Sequence, residues 1–150
     1  MGRIPGLDLL FGFGATVPFI VGVLISWLSS EPGRLVALLL TAVWGTAILV
    51  FLSGVRRGLS FRTEGGPTLR QIATMSTLFG LGLCSLAAIW LGSAGWALVP
   101  LLVGYSLIFL LDPIAAANGE VPLYFRTLRR LQMPIIMLAL TCAIAIAAQA

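Results

Sequence analysis

The chain has 150 residues, of which 59% are hydrophobic and 9% are charged, with a formal net charge of +4. Soluble domains carry about 25% charged residues, so this composition excludes an ordinary soluble fold and predicts an integral membrane protein. All nine basic residues are arginines that lie between apolar runs rather than on one basic face, which argues against nucleic-acid binding.

Five apolar runs predict five transmembrane helices, at about 7–28, 35–55, 72–91, 96–111 and 131–148. Because the connections between them are short, we predict a single integral membrane domain over 1–150. The expected fold is an all-α membrane protein, a bundle of five transmembrane helices.

The first run carries a stripe of small residues around a proline. Gly14, Pro18, Gly22 and Ser26 are spaced four apart and share one helix face. Small residues let helix backbones approach closely in lipid. We interpret the stripe as internal helix packing, with a contact to another subunit as the alternative. Pro18 is tolerated in a span when a neighbouring helix satisfies the carbonyl that it releases.

The second run ends in Gly54-x-x-x-Gly58, which encloses Arg56 and Arg57. Membrane dimerisation motifs with this spacing lie within an apolar stretch, so we predict a tight turn or a close backbone contact at the interface instead. The two arginines could bind lipid phosphate or a partner's carboxylate. A second small stripe, on the third run, is formed by Ser76, Gly80, Cys84 and Ala88.

The fourth run is short, and Asp112-Pro113 is predicted to end it. We expect Asp112 to be a helix-terminal charge paired at the interface, with a gate or ligand site as the alternative. The segment 124–131 alternates apolar residues with basic ones, a pattern typical of an interfacial helix before the last span. Its basic residues, which Asp112 could face, are Arg126, Arg129 and Arg130. Pro134 predicts a kink after it.

The arginines also predict the topology. Arg34 is alone on one side, and the eight on the other side are Arg3, Arg56, Arg57, Arg62, Arg70, Arg126, Arg129 and Arg130. The positive-inside rule therefore predicts a cytoplasmic amino terminus and a periplasmic carboxyl terminus. Three tryptophans form an aromatic belt at the opposite ends of the spans, Trp27, Trp90 and Trp96, whereas Trp44 lies mid-span as a packing residue. Without a signal or transit peptide, a bacterial inner membrane is favoured.

Residues that perform chemistry are scarce. The chain has no histidine, the commonest general base and metal ligand. Cys84 and Cys142 lie in apolar runs and are expected to be buried free thiols. No ionisable residue lies at the centre of a predicted span. We therefore predict a protein that is not an enzyme, with no catalytic, cofactor-binding or metal-binding residue.

Three segments resemble a bacterial membrane family of unknown function that is similar to mitochondrial transmembrane protein 69. Residues 51–58, Phe-Leu-Ser-Gly-Val-Arg-Arg-Gly, resemble its Phe-Leu-Gly-Gly-Val-Arg-Trp-Gly signature, with Ser53 and Arg57 as departures. Residues 14–19 resemble the Gly-x-x-x-Pro-Phe of its first span, and residues 129–134 resemble the Arg-Leu-Arg-Leu-Pro before its last span. The resemblance implies a five-span inner-membrane protein and supplies no activity.

The leading functional hypothesis is a non-catalytic accessory, structural or assembly subunit of a larger inner-membrane complex, such as a respiratory or photosynthetic electron-transfer assembly. Its expected partners are membrane lipids and other membrane-protein subunits. The alternatives are a small oligomeric transporter or channel and a lipid-handling or quinone-associated enzyme. The candidate partner or lipid contacts are Gly14, Pro18, Gly22, Gly54, Arg56, Arg57, Gly58, Asp112, Arg126, Arg129 and Arg130.

Overall fold

A computed structural model describes residues 6–63, 65–120 and 124–149, without the side chains of 7–9 and 124. These residues form helices α1 (Gly6–Gly14), α2 (Val17–Leu28), α3 (Gly33–Ser60), α4 (Leu69–Trp90), α5 (Ala94–Ala117) and α6 (Tyr124–Ala147). Arg3, Glu64 and the side chains of Asp8 and Tyr124 lie outside the described residues.

Five helical segments are long and apolar enough to cross a membrane, with α1 and α2 together supplying the first. The prediction of an all-α, multi-pass membrane protein is confirmed. The direction in which the spans cross the membrane stays a prediction.

Consecutive long helices are antiparallel neighbours. Helix α3 packs against α2, α4 and α5, and α6 packs against α5 and returns to α1 and α2, which closes the bundle. One end of the bundle therefore collects the last turns of α3 and α5 and the first turns of α1, α4 and α6. We call it the arginine end, because most of the basic residues lie there.

The first span is broken at residues 15 and 16, just before Pro18. The Phe19 amide donates to the Thr16 carbonyl at 3.1 Å, so it does not bond to the carbonyl of Ala15 in the usual helical pattern. The indole Nε1 of Trp44, on α3, donates to that Ala15 carbonyl at 3.0 Å. Trp44 therefore packs across the break and also satisfies a backbone group that the break released.

The fourth span is longer than predicted. Helix α5 continues through Asp112 and Pro113 to Ala117, so the expectation that these residues end the helix is wrong. An internal proline removes one backbone hydrogen bond. Here the buried Ala115 and Ala116 extend the packed face beyond it. The second span also extends past its predicted end, to Ser60.

Residues 124–131, predicted as an interfacial helix, form the first turns of the same continuous helix as the last span. Pro134 lies inside that helix, α6. The predicted kink at Pro134 and the interfacial position of residues 124–131 stay predictions.

Buried hydroxyl groups link the helices across the core. Thr46 on α3 donates to Ser85 on α4 at 2.8 Å, and Ser85 donates to the carbonyl of Ala97 on α5 at 2.8 Å. Tyr105, fully buried on α5, donates to the carbonyl of Gly45 on α3 at 2.9 Å. In a membrane, apolar contact between helices gains little over contact with lipid, so such polar links and close packing hold the helices together.

Close packing is predicted for the small-residue stripe of the first span and for Gly54-x-x-x-Gly58, and among the described glycines of these two segments the structure shows it only at Gly22. Gly22 faces α3 so closely that a Cβ there would overlap the Thr41 hydroxyl oxygen and lie 3.2 Å from the Thr41 Cβ. By contrast, apart from the adjacent backbone of its own helix, a Cβ at Gly54, Gly58 or Gly14 would have no described atom within 4 Å. Because α3 runs straight through 54–58, the predicted tight turn or close backbone contact there is wrong.

The cysteines and the second small stripe also differ from expectation. Cys84 and Cys142 are free thiols, but both are exposed on the outside of the bundle, so the expected burial is wrong. Ser76 is exposed as well, and the buried face of α4 is formed by Leu78, Gly82 and Ser85. A spacing of four residues places side chains on one face of a helix, but it does not determine whether that face contacts the neighbouring helices.

Replacement of Gly22 by alanine should destabilise the protein by about 1–3 kcal/mol, since Thr41 must shift to admit the methyl group. Replacement of Gly54 by alanine adds a methyl group at an open position of α3. It should be neutral or stabilise the protein by up to about 1 kcal/mol, because alanine has the higher helix propensity. Unfolding of both variants in mixed detergent micelles measures the difference. Equal effects of the two substitutions would contradict the packing described for α2 and α3.

Candidate functional site

At the arginine end, one carboxylate joins three helices. Asp112 on α5 is 5% exposed. Its Oδ1 accepts a hydrogen bond from Nη2 of Arg56 on α3, and its Oδ2 accepts one from Nε of Arg129 on α6 at 3.0 Å. Each carboxylate oxygen therefore holds a guanidinium from a different helix.

Two further hydrogen bonds extend this arrangement to α1. Nη1 of Arg129 donates to Oε1 of Gln132 at 2.6 Å, and Nε2 of Gln132 donates to the Gly12 carbonyl at 2.7 Å. Arg129 is 6% exposed and Gln132 is 2% exposed. We call Arg56, Asp112, Arg129 and Gln132 the ion-pair cluster. It connects α3, α5, α6 and α1.

The ion-pair cluster holds two guanidinium groups and one carboxylate, so its formal charge is +1. Charges removed from water must be paired and hydrogen-bonded, or they destabilise the fold. Arginine suits this position because its planar group offers several donors in a fixed geometry. The ring of Phe125 also lies 5.3 Å from the Arg129 guanidinium carbon, within the range of a cation–π interaction.

The cluster lies near one end of the bundle rather than at its middle. At 1.5 Å per residue, Asp112 is about 27 Å along α5 from Ala94, close to the roughly 30 Å thickness of the hydrocarbon layer. The expectation that Asp112 is a helix-terminal charge is nevertheless wrong, because the residue lies inside a helix and is enclosed by its neighbours.

The three arginines of residues 126–130 have different environments. Arg129 points into the bundle to Asp112, whereas Arg126 and Arg130 are exposed and make no ion pair with any described residue. The i, i+3 spacing of Arg129 and Gln132 places both on the inner face of α6. Sequence reasoning grouped these arginines because it could not determine that face.

Three of the other arginines contact side chains outside the ion-pair cluster. Arg57 stacks over the Phe61 ring at 4.3 Å and donates to the Ser60 hydroxyl at 3.4 Å. Arg70 pairs with Glu120 at the arginine end, and Arg34 lies 3.8 Å from Glu31 at the opposite end. Surface pairs of this kind contribute little to stability.

A cavity of about 680 Å³ adjoins the ion-pair cluster, between α1, α3 and α6. Its described walls are almost wholly apolar, and among the described lining residues Arg129 and Gln132 supply the polar side chains apart from the indole of Trp44. Leu10, Phe11 and Phe51 are exposed where it opens on the side of the bundle. Pockets that hold small amphipathic molecules have this volume and this sparse polarity.

Sequence reasoning missed Gln132 and the wall formed by Trp44. An amide isolated within an apolar run is a usable signal, because a polar group in a span needs a partner. Among the described residues, no group of three histidine, cysteine, aspartate or glutamate side chains could hold a metal ion.

The three segments that carry the family resemblance meet at this site. Gly14 and Ala15 line the cavity from the first segment, Phe51 from the second, and Arg129 and Gln132 from the third. No family model, curated protein or solved structure matches the chain. The resemblance therefore stays a prediction.

Replacement of Asp112 by asparagine should destabilise the protein by about 3–5 kcal/mol, because it leaves the buried guanidinium of Arg129 and the partly buried guanidinium of Arg56 without their counter-charge. The matched control is Glu31→Gln, which removes the carboxylate of the exposed pair with Arg34 and should cost at most about 1 kcal/mol. Thermal unfolding in detergent compares them. A loss for Asp112→Asn no larger than for the control would show that the cluster does not hold the helices together.

Proposed function

We propose that the protein is a non-catalytic accessory, structural or assembly subunit of a larger complex in a bacterial inner membrane. A respiratory or photosynthetic electron-transfer assembly is the host that we favour, through the resemblance to a family with mitochondrial relatives. In this proposal the amino terminus and the arginine end are cytoplasmic, and the carboxyl terminus is periplasmic.

The observation that carries the proposal is how the interior polar groups are used. Thr46, Ser85 and Tyr105 tie helices to one another, and the ion-pair cluster ties four helices at one end. Among the described residues, every buried side-chain nitrogen and oxygen has a hydrogen-bond partner. The polar interior thus serves to hold a fixed shape, which is what a scaffold subunit requires.

The charges left outside this network supply a docking face. Arg62, Arg126 and Arg130 are exposed at the arginine end and pair with no described carboxylate. Arginine binds carboxylate and phosphate through two parallel hydrogen bonds, so this face suits an acidic partner segment or anionic lipid headgroups. Neutral residues cover the flanks of the bundle, as membrane-embedded contacts require.

The transporter or channel alternative needs a continuous polar path. The hydroxyls of Thr16, Ser26 and Thr41 instead donate to carbonyls within their own span, as do those of Ser106 and Thr141. Ser76 and Thr77 lie on the outer surface. This arrangement favours the scaffold over a path through the single chain.

An accessory subunit should co-purify with a stoichiometric partner from native membranes in mild detergent. The double variant Arg126→Gln/Arg130→Gln should weaken that retention by about tenfold, because rim charges guide and hold an acidic partner. Arg34→Gln, at the opposite end, is the matched control and should retain the partner fully. Recovery of the unmodified protein only as a free monomer would contradict the proposal.

The proposed orientation predicts the labelling of cysteines in a variant that lacks Cys84 and Cys142. A membrane-impermeant maleimide added to intact spheroplasts should label Glu31→Cys, in the connection between α2 and α3, and should leave Arg62→Cys unlabelled until the membrane is opened. Both positions are exposed, so reactivity with opened membranes is the control. The reverse pattern would overturn the orientation.

A further inference from the structure

We propose that the cavity between α1, α3 and α6 is a specific site for one anionic phospholipid, with an acyl chain in its apolar part and the phosphate bound by Arg129. This site goes beyond the scaffold role and does not depend on it. A lipid could occupy it whether or not the bundle docks onto a larger complex.

The position and walls of the cavity suit an acyl chain. Its rim is formed by Leu10, Phe11 and Phe51, which are exposed on the side of the bundle that lipid tails cover once the helices cross a membrane. A chain can therefore enter sideways from the bilayer. Its volume, about 680 Å³, is within the range of sites that enclose most of a small amphipathic ligand.

The polar groups of the cavity are suited to an anion. Arg129 carries only donors, and its Nε and Nη1 donate to Asp112 and Gln132. Nη2 makes no hydrogen bond to any described residue, and because no fully enclosed side-chain nitrogen among those residues lacks a partner, Nη2 is left accessible. Among the described residues, Asp112 is the one carboxylate that pairs with Arg56 and Arg129, so the ion-pair cluster keeps a formal charge of +1 beside the cavity. A phosphate monoester or diester oxygen supplies both the missing acceptor and the missing negative charge.

The depth of the cavity along the transmembrane helices also suits a phospholipid. The ion-pair cluster lies near one end of the spans, at the depth where the lipid phosphates begin. The exposed Arg126 and Arg130 lie on either side of Arg129 in the sequence of α6. Basic pockets between transmembrane helices are a known way of binding anionic headgroups. A neutral quinone would satisfy the donor of Arg129 but would leave the charge uncompensated, which is why we favour the phospholipid.

The first test uses the full-length protein, stripped of lipid in a neutral detergent. Native mass spectrometry with added phosphatidylglycerol should show one bound molecule, at least tenfold tighter than phosphatidylcholine with the same chains. Decylubiquinone and glycerol phosphate should each bind at least tenfold more weakly than phosphatidylglycerol. Equal binding of phosphatidylcholine or of decylubiquinone would overturn the proposal, and equal binding of glycerol phosphate would show that the apolar part is not used.

The second test locates the lipid. Val55→Trp fills the cavity from α3 without changing a charge and should weaken phosphatidylglycerol binding at least tenfold, whereas Val43→Trp, exposed on α3 outside the cavity, should not. In the unmodified protein, phosphatidylglycerol with a photoreactive chain should crosslink to α3 near Phe51 or to α6 near Leu128. Crosslinks confined to other helices, or undiminished binding by a folded Val55→Trp variant, would place the lipid elsewhere.

Discussion

The pairing of one buried carboxylate with two guanidinium groups is the constraint on which the arginine end of this bundle depends. The Asp112 side chain is enclosed by the protein where Arg56 and Arg129 approach it from two other helices. The burial of Arg129 depends in turn on this carboxylate, because an unpaired buried charge destabilises the fold. The three helices must therefore keep one relative position, and Gln132 carries the same constraint to α1 through the Gly12 carbonyl. Hydrophobic packing alone would not impose it, since lipid offers every helix a comparable apolar surface.

The remainder of the bundle uses the same principle with neutral groups. Hydroxyls of Thr46, Ser85 and Tyr105 link α3, α4 and α5, and the Trp44 indole bridges the break in the first span. Polar side chains are few in this chain, and most of those that are buried hold helices together. Among the described residues, the ion-pair cluster also places more positive than negative charge beside an apolar cavity, which is why we propose the scaffold role and the lipid site for the same molecule.

The sequence predicted the number and type of helices because hydropathy over about 20 residues is a local property. It did not predict which face of a helix points inward. Hydropathy therefore does not separate the buried Arg129 from Arg126 and Arg130, and it predicts a buried Cys84 where the structure exposes the thiol. The predicted end of the fourth span is also wrong. An aspartate followed by a proline usually stops a helix. Here the Asp112 carboxylate accepts hydrogen bonds from Arg56 and Arg129, which lie 56 and 17 positions away along the chain. Such distant partners leave no local signal, whereas the isolated Gln132 amide was a signal that could have been used.

The central claim is that Asp112 and Arg129 stabilise the fold as a pair rather than independently. A double-mutant cycle with Asp112→Asn, Arg129→Gln and the combined variant measures this directly from the free energies of unfolding in detergent. Removal of Arg129 should offset much of the cost of removing Asp112, since it takes away one of the two unpaired guanidinium groups, and the coupling should be about 2–3 kcal/mol. Effects that add to within about 0.5 kcal/mol would contradict the claim.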